Sequence, residues 1–209
     1  MKTHMIGAVS ALVLAAGSAG AGAVTVPGTS NPFLAGAPSG ATVTYVTTDV
    51  DTAPGESPVG VAVTPGGLIN ISDVTGTVSN GPCCAFDGPT GGAATDSTAF
   101  TASGFTELVS GFTGLPLNSL IGVFYGPNPA DPGVDSVFEI GNGGVFTVPV
   151  GATELYLGTV DSYQYNNNLG AFSAQVSVPE PATWALMLVG FGGLGVAMRS
   201  RRKLATATI

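Results

Sequence analysis

The densest cluster of side chains able to do chemistry in this chain is made of oxygen donors. The stretch Asp161-Ser162-Tyr163-Gln164-Tyr165-Asn166-Asn167-Asn168-Leu169-Gly170 places one carboxylate ahead of three adjacent amides, with no imidazole or thiolate among them. A donor set made only of oxygen suits calcium far better than zinc or copper. The same residues also suit a plain polar turn, because Asn tolerates left-handed backbone and bonds the main chain nearby. Spacing alone leaves both readings open.

The charges narrow the chemistry further. All five basic residues lie at the ends, Lys2 and then Arg199, Arg201, Arg202 and Lys203. Residues 25–178 hold no Lys, Arg or His, yet carry twelve of the thirteen acids. A surface without cations cannot displace counterions from a phosphate backbone, which excludes nucleic acid as a partner. Arginine clamps on phosphate or carboxylate are excluded with it. A neutral sugar or a hard cation stays compatible. Without His or Lys there is no base for a Ser or Cys triad, and no carboxylate pair stands out for glycoside hydrolysis. The middle of the chain reads as non-catalytic.

The two cysteines are neighbours, Cys83-Cys84, behind Gly81-Pro82. A vicinal disulfide there would be strained, since adjacent Cα atoms sit closer than a disulfide prefers. Intermolecular pairing and free thiols are the alternatives.

Both ends look like addresses. Lys2 and His4 precede an apolar run from Met5 to Ala16 and the small residues Ala19-Gly20-Ala21-Gly22-Ala23. That is the order of a secretory signal peptide over residues 1–23, with cleavage before Val24 or, alternatively, after Ala21. The other end reads Val178-Pro179-Glu180-Pro181, then Ala182 to Met198 without a charge, then Arg199-Ser200-Arg201-Arg202-Lys203. As a helix, residues 182–198 would be about 26 Å long, slightly under a bilayer core. The basic residues 199–203 would stay cytoplasmic and leave the preceding chain outside.

Pro179-Glu180-Pro181, Trp184, the Gly190-Phe191 pair and the basic cluster with Arg199, Arg201 and Arg202 resemble the PEP-CTERM sorting signal over residues 179–203. The resemblance implies recognition and cleavage near the tripeptide by an exosortase, a membrane cysteine peptidase. It also implies a Gram-negative bacterium that makes exopolysaccharide. The protein would be anchored in the inner membrane first, then pass to the cell envelope or extracellular matrix.

Between the ends, a period of two dominates. Phe172, Ala174, Val176 and Val178 share one face, with Ser173, Gln175 and Ser177 on the other. Further strands are expected at 41–47, 59–63, 68–71, 75–79, 120–125, 137–140, 145–148 and 153–157. Gly141-Asn142-Gly143-Gly144 predicts a hairpin over 137–148, and residues 85–104 a long loop. Eight or nine short strands and no amphipathic helix before residue 182 predict an all-β, antiparallel sandwich. Residues 24–67 would supply its first strands and loops, and 68–178 its main body.

Several stretches within 68–178 resemble the small calcium-dependent galactophilic lectins of the PA-IL-like fold, a jelly-roll-type sandwich. They are Gly114-Leu115-Pro116-Leu117-Asn118-Ser119-Leu120-Ile121-Gly122, Val148-Pro149-x-Gly151-Ala152, Leu155-Tyr156-Leu157 and the Asp161 to Ser173 loop. The resemblance implies a calcium ion that bridges two sugar hydroxyls. Its ligands would be the Asp161 carboxylate, the Asn167 and Asn168 side-chain carbonyls, and the Gln164 and Asn80 backbone carbonyls. Sugar would meet that ion beside Asp161, Asn167 and Asn168, with Tyr163 against its apolar face. The loop is one residue shorter than the family's, and Leu169 stands where the family has a small polar residue. Galactose-like sugars or exopolysaccharide are the implied ligands. A sandwich without sugar binding would instead be a non-catalytic structural surface or biofilm protein.

Overall fold

The alternation from Ala171 to Val178 is a strand in the computed structural model, and it sits at the centre of the fold. The structure describes residues 22–45, 49–94, 103–104, 114–128, 137–178, 189–193, 195 and 199. Within them, β1 (Gly22–Pro27), β2 (Thr42–Thr44), β3 (Val50–Thr52), β4 (Val59–Ala62), β5 (Leu68–Ser79) and β6 (Ser103–Gly104) come first. They are followed by β7 (Leu120–Tyr125), β8 (Val137–Glu139), β9 (Gly144–Thr147), β10 (Glu154–Thr159) and β11 (Leu169–Ser177).

All pairings are antiparallel. One four-stranded sheet runs β1-β11-β5-β9, a second β4-β10-β7-β8, and a small third β3-β2-β6. Their side chains explain the layering. Phe172, Ala174 and Val176 of β11 and Ile69 and Ile71 of β5 meet Leu120, Phe124, Leu155 and Leu157 of the second sheet in one buried core. The run Leu120-Ile121-Gly122-Val123-Phe124 has no polar alternation because both of its faces are covered. Its odd face gives Ile121 to a second core with Phe33, Leu34, Val43, Tyr45, Ala53, Val160 and Tyr165.

Three expectations change in detail. The strands expected at 68–71 and 75–79 are one twelve-residue strand, β5. Asp73 and Gly76 take positive φ within it, and the register against β11 shifts between Ser173 and Gln175. The break between the two expected strands is therefore an irregularity within one strand. The hairpin expected over 137–148 does not form. β8 pairs with β7 and β9 with β5, so Gly141 to Gly143 carries the chain from the second sheet to the first. The glycines do supply positive φ there, at Gly141 and Gly143, but in a crossing. The strand count also exceeds eight or nine, with eleven among the described residues, eight of them in the two large sheets.

β1 runs beside β11 from Gly22 opposite Val176 to Pro27 opposite Ala171. The chain thus enters and leaves this sheet at the same end. Cleavage after Ala21 leaves β1 whole, whereas cleavage before Val24 removes its first two residues, both exposed.

The sandwich unit spans Ala19–Pro179, and the helical residues 189–193, 195 and 199 belong to a separate unit. Among the described residues no helix is long and apolar enough to cross a membrane. Residues 1–21 of the expected signal peptide, Pro179, Glu180, Pro181, Trp184, Arg201 and Arg202 lie outside the described residues, and Arg199 is helical and exposed.

Candidate metal centre

Three connections converge at the far end of β11, where Leu169 pairs with Ser79 of β5. β1 runs out into Gly28, whose N–H bonds the Gly170 carbonyl at 2.9 Å. β5 runs out into the Asn80-Gly81-Pro82 turn. The third connection is the 161–168 loop, which brings the chain over from β10.

The shape of that loop follows from two residues. Gln164 adopts a left-handed backbone (φ 62°) and opens a 3-10 turn over Tyr165–Asn167. Tyr165 is wholly buried in the second core. Its hydroxyl donates to the Asp161 carbonyl at 2.9 Å and accepts the Asp161 N–H at 3.1 Å, which closes the base of the loop.

The polar side chains are held by one end only. Asn167 donates its amide N–H to Gln164 Oε1 at 3.1 Å, and Asn168 donates its own to the Gly28 carbonyl at 3.1 Å. One Asp161 oxygen, Oδ1, accepts the Ser162 N–H. What remains is Asp161 Oδ2, Asn167 Oδ1 and Asn168 Oδ1, three buried oxygens without a hydrogen-bond partner. Buried acceptors are normally satisfied, and each one left alone costs about 1–3 kcal/mol. Three in one loop, each on a side chain whose other polar atom is bonded, form a candidate donor set for a cation.

The Asn80 turn reaches the same place. A Cβ built on Gly81 would lie 3.2 Å from Asn167 Oδ1. Ser79 Oγ pins the turn by donating to the Gly81 carbonyl at 2.7 Å. The Gln164 carbonyl accepts the Asn167 N–H at 3.1 Å and keeps a second lone pair. The structure therefore brings the turn carrying Asn80 up to the loop of Asp161, Gln164, Asn167 and Asn168. Tyr163 stays on the exposed side, 45% accessible. The exposed Phe86 stands near the start of β11, its ring 3.2 Å from where a Gly170 Cβ would be.

Electrostatics point the same way. Burial pushes the Asp161 carboxyl up to about 7, offset in part by the Ser162 N–H, the Asn168 side chain and the Tyr163 N–H. Asp51 adds to the rise by repulsion. Asp51 is itself fully buried, and burial followed by repulsion from Asp49 raises it to about 6. Its Oδ2 accepts from Asn31 Nδ2 at 3.0 Å, and that same amide donates to the Tyr45 hydroxyl at 2.6 Å. The backbone N–H of Tyr165, the first residue of the 3-10 turn, also stabilises the Asp51 charge. Asp51 thus anchors the turn from the third sheet and puts a second carboxylate behind Asp161. No Lys, Arg or His exists between residues 25 and 178 to neutralise either.

Sequence reasoning missed Asp51, Asn31 and Tyr45. Thr48-Asp49-Val50-Asp51-Thr52 carries no motif, and only the tertiary fold brings it under the loop. Among the described residues no three His, Cys, Asp or Glu side chains gather where they could hold a metal. The candidate centre therefore depends on amides and backbone carbonyls.

Comparison with known families decides the other end of the chain. Residues 177–203 match the PEP-CTERM protein-sorting motif. The chain carries a PEP-CTERM signal. That signal marks it as an exported substrate of exosortase sorting. Among solved structures, the chain is similar to the EclA N-terminal domain, described as a PllA-like lectin. The match has 20% identity and a TM-score of 0.37, and it covers 75% of this chain and 94% of that one. No curated protein matches the chain.

Proposed function

We propose that this PEP-CTERM protein is a non-catalytic, jelly-roll-like sandwich that binds calcium in the 161–168 loop and, through it, a neutral saccharide of the cell envelope or matrix. The observation that carries the proposal is the trio of buried oxygens on Asp161, Asn167 and Asn168, each without a hydrogen-bond partner. Calcium takes six to eight oxygens and accepts amide and backbone carbonyls alongside few carboxylates. Here the side chains of Asp161, Asn167 and Asn168 would hold it, with the backbone carbonyls of Asn80 and Gln164 at the margin. Bound calcium would offset two buried carboxylates and leave positions open to paired hydroxyls. A binding surface free of cationic side chains suits an uncharged sugar such as a galactose-like residue of an exopolysaccharide. Exposed Tyr163 would cover the apolar face of that sugar.

Two experiments test the two halves. Glycan capture by the exported chain should require calcium and vanish with a chelator. Capture that ignores the chelator removes the calcium bridge, and no capture at all removes the sugar reading. Replacing Pro179-Glu180-Pro181 by alanines should leave an uncleaved form in the inner membrane of a Gram-negative host. An unchanged processed mass and location would overturn exosortase dependence.

A further inference from the structure

The turn that abuts the candidate centre also carries both cysteines. Cys83 is exposed and Cys84 half-buried, and their Sγ atoms lie 3.0 Å apart. Two features hold the pair in this arrangement. The Cys84 N–H bonds the Gly81 carbonyl at 3.2 Å, and Ser79 Oγ lies 3.2 Å from the Cys84 carbonyl as well as bonding the Gly81 carbonyl. The thiols are therefore fixed against each other by the backbone of a pinned turn, and Cys83 stays open to solvent. A chain that is exported meets an oxidising compartment, where exposed adjacent thiols do not persist.

We infer that Cys83 and Cys84 are a modification site, closed after export into a vicinal disulfide by exchange with an external disulfide. The Cys83 thiolate attacks a sulfur of the oxidant and forms a mixed disulfide, releasing one oxidant thiolate. The exposed Cys83 meets the oxidant first, which leaves the half-buried Cys84 as the second thiolate to react. Cys84 then attacks Cys83 Sγ, expels the second oxidant thiolate and closes the ring. Two electrons pass to the oxidant, and two protons leave the cysteines. Intramolecular attack is favoured because Cys84 Sγ already touches the atom it attacks, ahead of any partner chain. The ring stiffens the segment next to Asn80.

The test uses the chain as exported, quenched with iodoacetamide before any reductant. The expected product is a monomer lighter than the reduced form by two hydrogens, without alkyl groups, that takes up two after reduction. Two alkyl groups before reduction, or a dimer that dissociates on reduction, would overturn the inference. A second arm treats the reduced full-length chain with oxidised glutathione. The same ring should form and release both glutathiones, whereas a lasting glutathione adduct on either cysteine contradicts it. A Cys83→Ser chain must show one alkylatable thiol in the quench. If its Cys84 is blocked there, intermolecular pairing wins.

Discussion

Two segments do the same topological job and are built from opposite chemistry. The Gly141–Gly143 crossing takes the chain from β8 in one sheet to β9 in the other, and the 161–168 loop takes it from β10 to β11 between the same two sheets. The first satisfies itself. The Ile140 and Gly141 N–H groups bond the Leu120 carbonyl at 3.0 and 3.1 Å, and the Gly143 N–H bonds the Ile140 carbonyl at 2.9 Å. The second buries a carboxylate and two amides and leaves an oxygen of each without a partner. Glycine and backbone bonds are thus sufficient to make this crossing in this fold. The orphaned oxygens of the second loop are not needed for the crossing itself, and on the proposed reading they would serve a cation.

The comparison breaks most directly at Asp161. Asp161→Ala should abolish the heat of calcium binding, because it removes the one carboxylate of the 161–168 loop. Residual heat of wild-type size in that variant would assign the site elsewhere. Asp51→Asn tests the anchor beneath the loop. It should weaken calcium by about 10–100-fold, as loss of a supporting partner around a metal does, and leave the calcium-free melting temperature nearly unchanged. An unchanged affinity would reduce Asp51 to ordinary core structure.

The glycine crossing should respond in the opposite sense. Gly143 has φ 101°, and an added Cβ would run into the Ile71 carbonyl. Gly143→Ala should cost on the order of 1–2 kcal/mol in urea unfolding while calcium affinity stays at the wild-type value. A loss of calcium binding at constant stability would merge the two segments into one functional unit.

The smallest expected effect is one of pH. Asp161, raised to about 7, and Asp51, raised to about 6, hold their protons in the folded state longer than in the unfolded chain. Between about pH 4 and 7 the folded state therefore binds more protons, and calcium-free stability falls as pH rises. Above about pH 7 the loss levels off. Urea midpoints measured in chelator across that range should decline, and a rise would contradict the burial of these carboxylates without a counter-charge.

Much of this was legible in the residues. The alternation of Phe172, Ala174 and Val176 gave β11, and the apolar run from Leu120 gave a strand, whose cover on both faces only the fold shows. The donors Asp161, Gln164, Asn167 and Asn168 lie in one short stretch, so their proximity needed no tertiary information. Asn80 entered only through the family resemblance, and the place of its turn beside Asn167 follows from the pairing of Ser79 with Leu169. Asp51 was not legible, because a carboxylate on a three-residue strand looks like any exposed acid until the fold buries it. The Gly141–Gly143 crossing was misread for a related reason. Glycines with positive φ serve hairpins and sheet-to-sheet crossings alike, and only the partners of the flanking strands tell them apart.

Calorimetric titration of calcium into the exported wild-type chain measures the central claim. One site with a dissociation constant of about 10⁻⁴–10⁻³ M is predicted, a range set by few carboxylates and several neutral oxygens. No heat up to about 10 mM, beyond the range of such extracellular sites, would contradict it and return the 161–168 loop to the role of a turn.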